Sequence, residues 1–456
     1  MSQKPNLPRG MRDFGPEQMT KRNYIFQNIK DVFQKYGFMP LETPAMENLS
    51  VLTGKYGDEG DRLLYKVLNS GDFLGKVTSD DFTSGSKEVL PKVSEKGLKY
   101  DLTVPFARYV VKNRHELTIP FKRYQMQPVW RADNPQKGRY REFYQCDADV
   151  IGTESLLCET EIILMINEVF EQLGITDFTI KMNHRKILNG VTEYIGAKDK
   201  ETDFLVAIDK LDKIGMAKVK QELVNRGLTN ESVEKAEQVL NISGENLERL
   251  NILKNVLEGF PSGEEGINDI ESILAMVQKF GLDDHHIELD VTLARGLSYY
   301  TGTIFEVKVN NVSMGSVTGG GRYDDLTGVF GVPDLSGVGF SFGVDRIYDV
   351  MEELDLFPSD KLTGTKVLII HLDQTSFEYG LGALNRLRRK SISSEIFPDP
   401  AKPKKQFSYA NKKGIPYVIV VGSEEVNTGL LTFKDMHTGN EEKCTLESII
   451  GKLSID

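Results

Sequence analysis

The sequence predicts an α+β protein in which an antiparallel sheet flanked by helices is interrupted by a helical insertion and followed by a small α/β domain. Two strand-like stretches, 119–131 and 139–151, are joined by a turn segment that contains Pro, Asn and Gly. From about 190 to 275 the chain is rich in Lys, Glu, Asn and Leu and poor in aromatic residues, a composition typical of helices. Residues 364–456 alternate buried-strand and helix patterns, which indicates a separate α/β domain.

The chain has 456 residues, enough for several domains. We expect one domain to be built from two parts, residues 1–190 and 276–355, with residues 191–275 inserted between them. A linker near 355–365 then leads to the last domain, 364–456.

Periodicity predicts the remaining elements. Residues 16–36 place Ile25, Ile29 and Phe33 on one helical face, and Gly37 suits the end of that helix. The polar stretch 69–97 has weak periodicity and is expected to be a long loop or a poorly ordered hairpin. The other predicted elements are an extended segment at 38–44, helices at 155–173 and 376–390, and strands at 287–293, 303–309, 367–372 and 417–422.

The composition excludes several classes of protein. With 39% hydrophobic and 27% charged residues, the chain is globular rather than disordered or fibrous. No apolar run is long enough to span a bilayer, and the N-terminus lacks the apolar region of a secretory signal, so no membrane contact is expected. Three widely spaced cysteines without a CxxC motif favour a reduced, cytoplasmic protein without a structural zinc site.

The charge is unevenly distributed along the chain. The net charge is -11, which argues against nonspecific binding of nucleic acid. However, residues 386–413 contain nine basic and two acidic residues. This stretch fits either one localised contact with a polyanion or an ordinary solvated surface.

One face of the second predicted strand is unusually polar. Residues at alternate positions share a face, and here they are Arg139, Arg141, Phe143, Gln145, Asp147 and Asp149. The pattern fits a solvent-exposed face equally well, but Arg131 at the end of the neighbouring strand adds a second arginine beside the turn. Two arginines there suit phosphate oxygens, an aromatic ring can stack on a base, and Gln145 and Asp149 can recognise an ammonium or imidazole group.

Two further clusters combine glycine with arginine and aromatic residues. The segment 294–302, ARGLSYYTG, fits either an anion site with aromatic walls or a turn with packed tyrosines. The segments 319–324 and 337–346 alternate glycine with apolar residues, as expected of a strand that something flat approaches closely, and Arg346 follows at the start of a helix. The chain contains no P-loop and no dinucleotide-binding fingerprint. It also lacks a nucleophile motif, and His285-His286 lacks partners for a metal.

Taken in order, these pieces resemble a class II aminoacyl-tRNA synthetase, and more narrowly the histidyl-tRNA synthetase family. The helix leading into GFMPLETP (37–44) is similar to motif 1, which builds the dimer interface of that class. The stretch from Arg123 through Phe143 is similar to motif 2, and Gly337 to Arg346 is similar to motif 3. ARGLSYYTGTIFE (294–306) resembles the histidine-specific signature of the family.

The resemblance implies ATP-dependent activation of L-histidine to histidyl-adenylate, followed by transfer to tRNA(His), with Mg²⁺ as cofactor and a cytoplasmic homodimer as the working form. It implies a catalytic domain in the two parts named above and an anticodon-binding domain over 364–456. The alternative is a catalytically inactive, histidine-sensing regulatory subunit. That alternative is disfavoured because the C-terminal domain and the motif arginines are both present.

The resemblance also implies roles for single residues. Arg131 and Arg295 would be catalytic and hold the α-phosphate and the histidine carboxylate. The other histidine-binding residues would be Asp101, Thr103, Gln145, Asp149, Tyr299, Tyr300 and Tyr323. ATP would also be bound by Arg139, Phe143 and Arg346, and tRNA by Gln136, Lys404 and Lys405.

Three positions depart from the family pattern. Ser298 stands where the signature usually has Asp, and Asp133 and Asp345 stand where class II enzymes often have Glu.

Overall fold

The computed structural model describes residues 5–282, 284–294, 299–358 and 364–454. These residues form two compact units. The first contains residues up to Phe14 together with Ile25–Leu356, and the second contains Gly15–Tyr24 and the chain from Phe357 onward. The predicted domain boundaries at 190 and 275 fall inside helices, and the four-part division of the chain stays a prediction.

The first part of the chain supplies the strands that matter most for the site. In order, its elements are α1 (Pro16–Lys35), β1 (Met39–Pro40), β2 (Met46–Asn48), α2 (Leu49–Leu52), α3 (Gly57–Leu63), β3 (Lys66–Val67), α4 (Ser79–Ser84), α5 (Ser86–Val93), β4 (Lys96–Leu98), α6 (Thr103–Asn113), β5 (Phe121–Trp130), β6 (Glu142–Ile151), α7 (Leu157–Gln172) and β7 (Phe178–His184).

The middle of the chain is helical, as its composition predicts. Its helices are α8 (Arg185–Tyr194), α9 (Glu201–Ile208), α10 (Leu211–Ile214), α11 (Met216–Asn225), α12 (Asn230–Leu240), α13 (Asn246–Val256) and α14 (Pro261–Lys279). Strands resume with β8 (Ile287–Leu289), β9 (Thr303–Val309), β10 (Thr318–Tyr323) and β11 (Gly337–Gly343), and α15 (Val344–Glu353) follows directly.

The second unit contains a smaller sheet with helices. Its further elements are β12 (Val367–His371), α16 (Gln374–Arg389), β13 (Ser394–Ile396), α17 (Pro403–Lys412), β14 (Tyr417–Val421), α18 (Ser423–Thr428), β15 (Leu431–Asp435), β16 (Glu441–Cys444) and α19 (Leu446–Leu453). The strand order is β13-β12-β14-β15-β16, parallel over the first three strands and antiparallel after them. This arrangement confirms the predicted α/β character of the C-terminal segment.

An eight-stranded sheet with the order β1-β5-β6-β11-β10-β9-β7-β8 forms the centre of the first unit. Its internal pairs from β5 to β7 are all antiparallel. The predicted strand pair is confirmed as β5 and β6, which pair along their full lengths from Phe121 opposite Ile151 to Trp130 opposite Glu142. A separate small sheet has the order β2-β4-β3.

The prediction of a loop or hairpin at 69–97 is wrong, because this stretch holds α4 and α5. Thr78 and Asp81 form a capping box at the start of α4, and Lys92 of α5 lies 2.6 Å from the Asp81 carboxylate. These contacts stabilise helices too short to show a clear period. Two extended segments are shorter than predicted: 38–44 forms strand only at Met39–Pro40, and 287–293 only at Ile287–Leu289.

No helix in the part of the chain that the structure describes is long and apolar enough to cross a membrane.

Candidate active site

A cavity of about 650 Å³ lies over one face of the eight-stranded sheet. Its floor includes a row of residues that stand directly opposite one another across five strands. The row contains Asp147 on β6, Ser341 on β11, Gly319 on β10, Glu306 on β9 and Lys181 on β7. Directly opposed residues of antiparallel strands share a face, so the register itself brings these groups to one surface.

Glycines on β11 allow side chains to lie flat against the sheet. A Cβ at Gly339 would stand 2.1 Å from Asp149 Oδ1, and one at Gly337 would stand 2.4 Å from Tyr323 Cε2. Any larger residue would therefore displace Asp149 or Tyr323. This close approach is the one that the alternation of glycine and apolar residues predicts.

The structure gathers most of the predicted site residues around this single cavity. Those that line it are Asp101, Thr103, Arg131, Gln136, Arg139, Phe143, Gln145, Asp149, Tyr299, Tyr300, Tyr323 and Arg346. Arg295 and Ser298 lie outside the described residues. Lys404 and Lys405 are exposed in the first turn of α17, in the other unit. Their individual roles stay predictions.

Asp149 lies at a buried end of the cavity and is held by two partners. The Tyr323 hydroxyl donates to Asp149 Oδ1 at 2.7 Å, and Arg123 Nη2 lies 2.8 Å from Asp149 Oδ2. Burial raises the pKa of Asp149, while the charge of Arg123 opposes that rise. Sequence reasoning missed Arg123 as a site residue, although its place opposite Asp149 follows once β5 and β6 are paired in register.

Asp101 is a second buried carboxylate at the cavity. Its Oδ1 accepts from the Tyr56 hydroxyl at 2.9 Å and from the Val104 backbone N–H at 3.1 Å. Burial raises its pKa, and hydrogen bonding to Val104 together with the charge of Arg131 acts in the opposite direction. Tyr56 lies immediately before α3, in a segment without a recognisable sequence motif.

Arg131 provides a cation at the cavity, and its charge acts on Asp101. Its guanidinium carbon lies 4.2 Å from the Tyr100 ring centre and 5.2 Å from the Phe143 ring centre, and its Nε donates to the Tyr100 carbonyl at 3.0 Å. Aromatic contacts on an arginine restrict its rotamers, so the charge is fixed in place.

The loop between β5 and β6 closes one side of the cavity. Gln136 and Arg139 exchange two backbone hydrogen bonds, of 3.1 and 2.9 Å. Arg139 Nη1 lies 3.6 Å from Asp133 Oδ1. Arg346 Nε donates to the Gly138 carbonyl at 2.8 Å, which ties the loop to the first turn of α15. The prediction that Arg346 stands at the start of a helix is confirmed.

Asp345 is engaged by protein groups. It accepts from the Tyr144 backbone N–H at 3.0 Å and forms an ion pair with Arg12. The Arg12 guanidinium in turn stacks 3.2 Å from the Tyr140 ring centre. Sequence reasoning missed this N-terminal contribution, because residues near Arg12 have neither helical nor strand periodicity.

Several charged residues of the cavity were also missed. Lys181 on β7 lies 2.6 Å from Asp290 Oδ2, and Lys308 on β9 lies 3.9 Å from Asp212 Oδ2 of the helical region. Alternation along β9 places Glu306 and Lys308 on one face of that strand. Only the strand order of the sheet shows that this face lies on the same side of the sheet as Asp147. Within the described ranges, no group of three or more His, Cys, Asp or Glu side chains is arranged to hold a metal ion.

The site therefore has fixed arginines beside buried carboxylates on an antiparallel sheet, which suits a ligand with both anionic and cationic groups. Two family models match the chain: "Histidyl-tRNA synthetase" over residues 92–347 and "Anticodon binding domain" over residues 366–454. A catalytic sheet followed by an anticodon-binding domain defines an aminoacyl-tRNA synthetase. The chain belongs to the histidyl-tRNA synthetase family.

Curated relatives are similar over their full lengths. The histidine–tRNA ligase of Cytophaga hutchinsonii is 56% identical over 451 residues, which cover 99% of this chain and 100% of the relative. The histidine–tRNA ligase of Bacteroides fragilis is 53% identical over 455 residues, which cover 100% of both chains. The chain is thus an aminoacyl-tRNA ligase that activates histidine with ATP and charges tRNA.

Solved structures agree on the fold. The crystal structure of histidyl-tRNA synthetase from Nostoc sp. PCC 7120 has a TM-score of 0.85 at 29% identity, covering 100% of both chains. A structure from Bacillus halodurans, described as an ATP phosphoribosyltransferase regulatory subunit/histidyl-tRNA synthetase, has a TM-score of 0.73 at 18% identity, covering 92% of this chain and 100% of that one. That second likeness shows the fold alone, and the closer relatives do not support the regulatory alternative.

Proposed function

We propose that the cavity over the eight-stranded sheet is the site of histidine activation, and that its residues have the roles inferred from the sequence. The observation that carries this proposal is the convergence of Arg131 with two buried carboxylates, Asp101 and Asp149, around one cavity. Histidine brings a carboxylate, an ammonium and an imidazole. The cavity offers a group of matching charge or hydrogen-bonding character for each.

The carboxylate end of the cavity binds the ammonium and imidazole groups of histidine. Asp101, Thr103 and Gln145 bind the α-ammonium group. Asp149 and Tyr300 bind the two edges of the imidazole, and Tyr299 and Tyr323 shape the pocket. A pocket that hydrogen-bonds its substrate in this way rejects analogues lacking the partner group by roughly 10⁴–10⁵.

ATP binds at the arginine end. Phe143 stacks on the adenine, Arg346 packs on its other face or near the γ-phosphate, and Arg139 contacts the outer phosphates. Stacking on Phe143 places adenine close to Arg131, whose guanidinium carbon is 5.2 Å from that ring centre.

The first chemical step is in-line attack of the histidine carboxylate on the α-phosphorus of ATP, with pyrophosphate as the leaving group. Two anions approach each other, so positive charge positioned beforehand lowers the barrier. Arg131 and Arg295 supply that charge. No protein nucleophile takes part in this step.

The residues present also fit the Mg²⁺ ion that class II synthetases generally use. Mg²⁺ usually keeps several waters and takes one or two carboxylates together with substrate phosphates, so a cage of protein ligands is not required. Glu306 lines the cavity on the sheet floor and would be the protein carboxylate for this ion. Asp345 is the less suitable choice, because Arg12 and the Tyr144 N–H already bind its two oxygens. When bound, the ion would neutralise charge on the leaving pyrophosphate.

Transfer to tRNA(His) uses two local contacts. Gln136 in the loop between β5 and β6 meets the acceptor end, and Lys404 and Lys405 belong to a basic face of the anticodon-binding domain, residues 364–456. This arrangement explains how a chain with a net charge of -11 can bind a polyanion.

We also propose a cytoplasmic homodimer. The segment 37–44 after α1 resembles the motif that forms the dimer interface in this class. All three cysteines are free thiols, in keeping with a reducing compartment. Light scattering of the purified chain tests the dimer, and a monomer at micromolar concentration would contradict it.

The test of the proposed function is a screen of twenty amino acids in ATP–pyrophosphate exchange, followed by tRNA(His) charging. We expect exchange with L-histidine alone. Exchange with another amino acid, or none with any, would reject the assigned pocket.

A further inference from the structure

We propose that Asp147 is a further histidine-binding residue, whose carboxylate accepts a hydrogen bond from the α-ammonium group beside Asp101 and Gln145. The inference rests on the proposed histidine site and extends it, because the roles inferred from the sequence leave Asp147 without a part in substrate binding.

The position of Asp147 on its strand places it inside the site. It lies between Gln145 and Asp149 on the same face of β6, and it lines the cavity while being only 2% exposed. Ser341 of β11 stands directly opposite. A side chain so placed faces the cavity in which we propose that histidine binds.

Four buried carboxylate or amide oxygens on residues that line the cavity have no hydrogen-bond donor among the described residues. One of them, Asp149 Oδ2, forms an ion pair with Arg123 at 2.8 Å. The other three are Asp101 Oδ2, Gln145 Oε1 and Asp147 Oδ1. Each belongs to a residue that lines the cavity. Buried acceptors without a donor cost stability, so a set of them at one cavity calls for a ligand that donates.

Hydrogen bonds within the site orient two of these acceptors. Gln145 Nε2 donates to the Ser341 hydroxyl oxygen at 3.1 Å, which uses the amide nitrogen and leaves the amide oxygen. Ser341 also stands directly opposite Asp147, and hydrogen bonding to Ser341 acts to lower the pKa of that carboxyl. Asp147 Oδ1 has no hydrogen-bond donor among the described residues.

The chemistry of the three acceptors matches an ammonium group better than an imidazole. An ammonium group has three N–H donors and no acceptor, whereas a neutral imidazole offers one donor and one acceptor. The positive charge would also offset the repulsion among Asp101, Asp147 and Asp149. Arg131 acts in the same direction on Asp101, and Arg123 does so on Asp147. Asp149 Oδ2, which is ion-paired with Arg123 but accepts no hydrogen bond from the described residues, stays available for the ring.

Two competitive inhibitors of histidine-dependent pyrophosphate exchange separate these contacts. Histidinol keeps the ammonium and imidazole groups, and imidazolepropionate lacks the ammonium group. For Asp147→Asn we expect the KM for histidine and the Ki of histidinol to rise about tenfold or more. The Ki of imidazolepropionate and the KM for ATP should not change.

Control variants make each outcome decisive. Asp177→Asn changes an exposed aspartate that accepts from Asn310 at 2.8 Å, and it should alter no constant. Asp101→Asn should weaken the binding of histidine and histidinol, the two ligands that carry the ammonium group.

If Asp101→Asn acts as expected and Asp147→Asn has no effect, the role of Asp147 is rejected and the proposed site stands. Equal losses for all three ligands in Asp147→Asn would also reject the role, because they would indicate a general disturbance of the pocket. If Asp101→Asn is without effect as well, the proposed site itself is wrong.

Discussion

Tyr323 and Asp149 are joined by a 2.7 Å hydrogen bond from the phenolic hydroxyl to the carboxylate, although they stand on strands β10 and β6 with β11 between them. The contact is possible because β11 presents Gly337 and Gly339 at the crossing. It holds the carboxylate in one orientation, so less conformational entropy would be lost when histidine binds at the proposed site.

Tyr323→Phe should therefore weaken histidine binding with little loss of fold. Loss of a hydrogen bond to a charged acceptor is worth about 1.5–3 kcal/mol, which corresponds to a rise of at least tenfold in the KM for histidine. Pyrophosphate exchange kinetics measure this change. Tyr409→Phe is a matched control, because it removes a 2.8 Å bond from a tyrosine to Glu395 in the other unit. An unchanged KM in Tyr323→Phe would show that Asp149 needs no support from this hydroxyl.

Arg295→Ala should abolish formation of histidyl-adenylate while the fold is kept. A positioned arginine in phosphoryl transfer contributes roughly 10³–10⁵ in rate, so exchange should fall by at least the lower figure. Circular dichroism and thermal unfolding establish that the variant is folded. Arg226→Ala, which removes the ion pair with Asp203 in the helical region, should exchange at the wild-type rate. Adenylation near the wild-type rate in Arg295→Ala would remove that residue from catalysis.

Lys404→Glu combined with Lys405→Glu should raise the KM for tRNA and leave pyrophosphate exchange unchanged. Both side chains are exposed on α17, and reversing two charges replaces attraction for phosphate by repulsion. Aminoacylation measured at two salt concentrations should show a smaller salt dependence in the variant. Lys443→Glu with Lys452→Glu makes the same change in charge outside the 386–413 stretch. If both pairs behave alike, α17 is not a tRNA-binding face.

The stability of the enzyme without substrate should depend on pH through Asp147. Burial raises the pKa of this carboxyl to about 7, with Arg123 opposing the rise and Asp149 adding to it. Because the folded state then binds a proton that the unfolded state releases near pH 4, this group favours folding at low pH, and its contribution is lost as pH rises through about 7.

Asp147→Asn should therefore raise the thermal unfolding midpoint more at about pH 8 than at about pH 5. Differential scanning calorimetry of both proteins, with the transition of the catalytic unit followed at each pH, measures the difference. A shift of equal size at both pH values would mean that Asp147 keeps an ordinary pKa in the folded protein.

Features set by local pattern could be predicted from the sequence. Strands β5 and β6 were predictable because alternation and a Pro- and Gly-containing turn indicate two strands joined by a hairpin. Alternation along β6 places Gln145 and Asp149 on one face, and both line the cavity. The resemblance to motif 2, to motif 3 and to the histidine-specific signature then supplied most of the other predicted residues that line the cavity.

Features that depend on neighbouring strands or distant segments could not be predicted. Lys181 and Glu306 join the cavity only because β7 and β9 pair in a particular register, which no single stretch of sequence records. Arg12 reaches Asp345 across more than three hundred residues of chain. Helices α4 and α5 are too short to show a clear apolar period, and the ion pair between Lys92 and Asp81 joins two separate elements.

The glycine at 339 limits how this enzyme can be redesigned to accept other amino acids. Enlarging a binding pocket usually means shortening a side chain, but behind Asp149 the wall is bare backbone, and a Cβ there would already stand 2.1 Å from the carboxylate. A bulkier ring must therefore gain its room from β6 or from the tyrosines, and each such change also removes a group to which we assign the recognition of histidine.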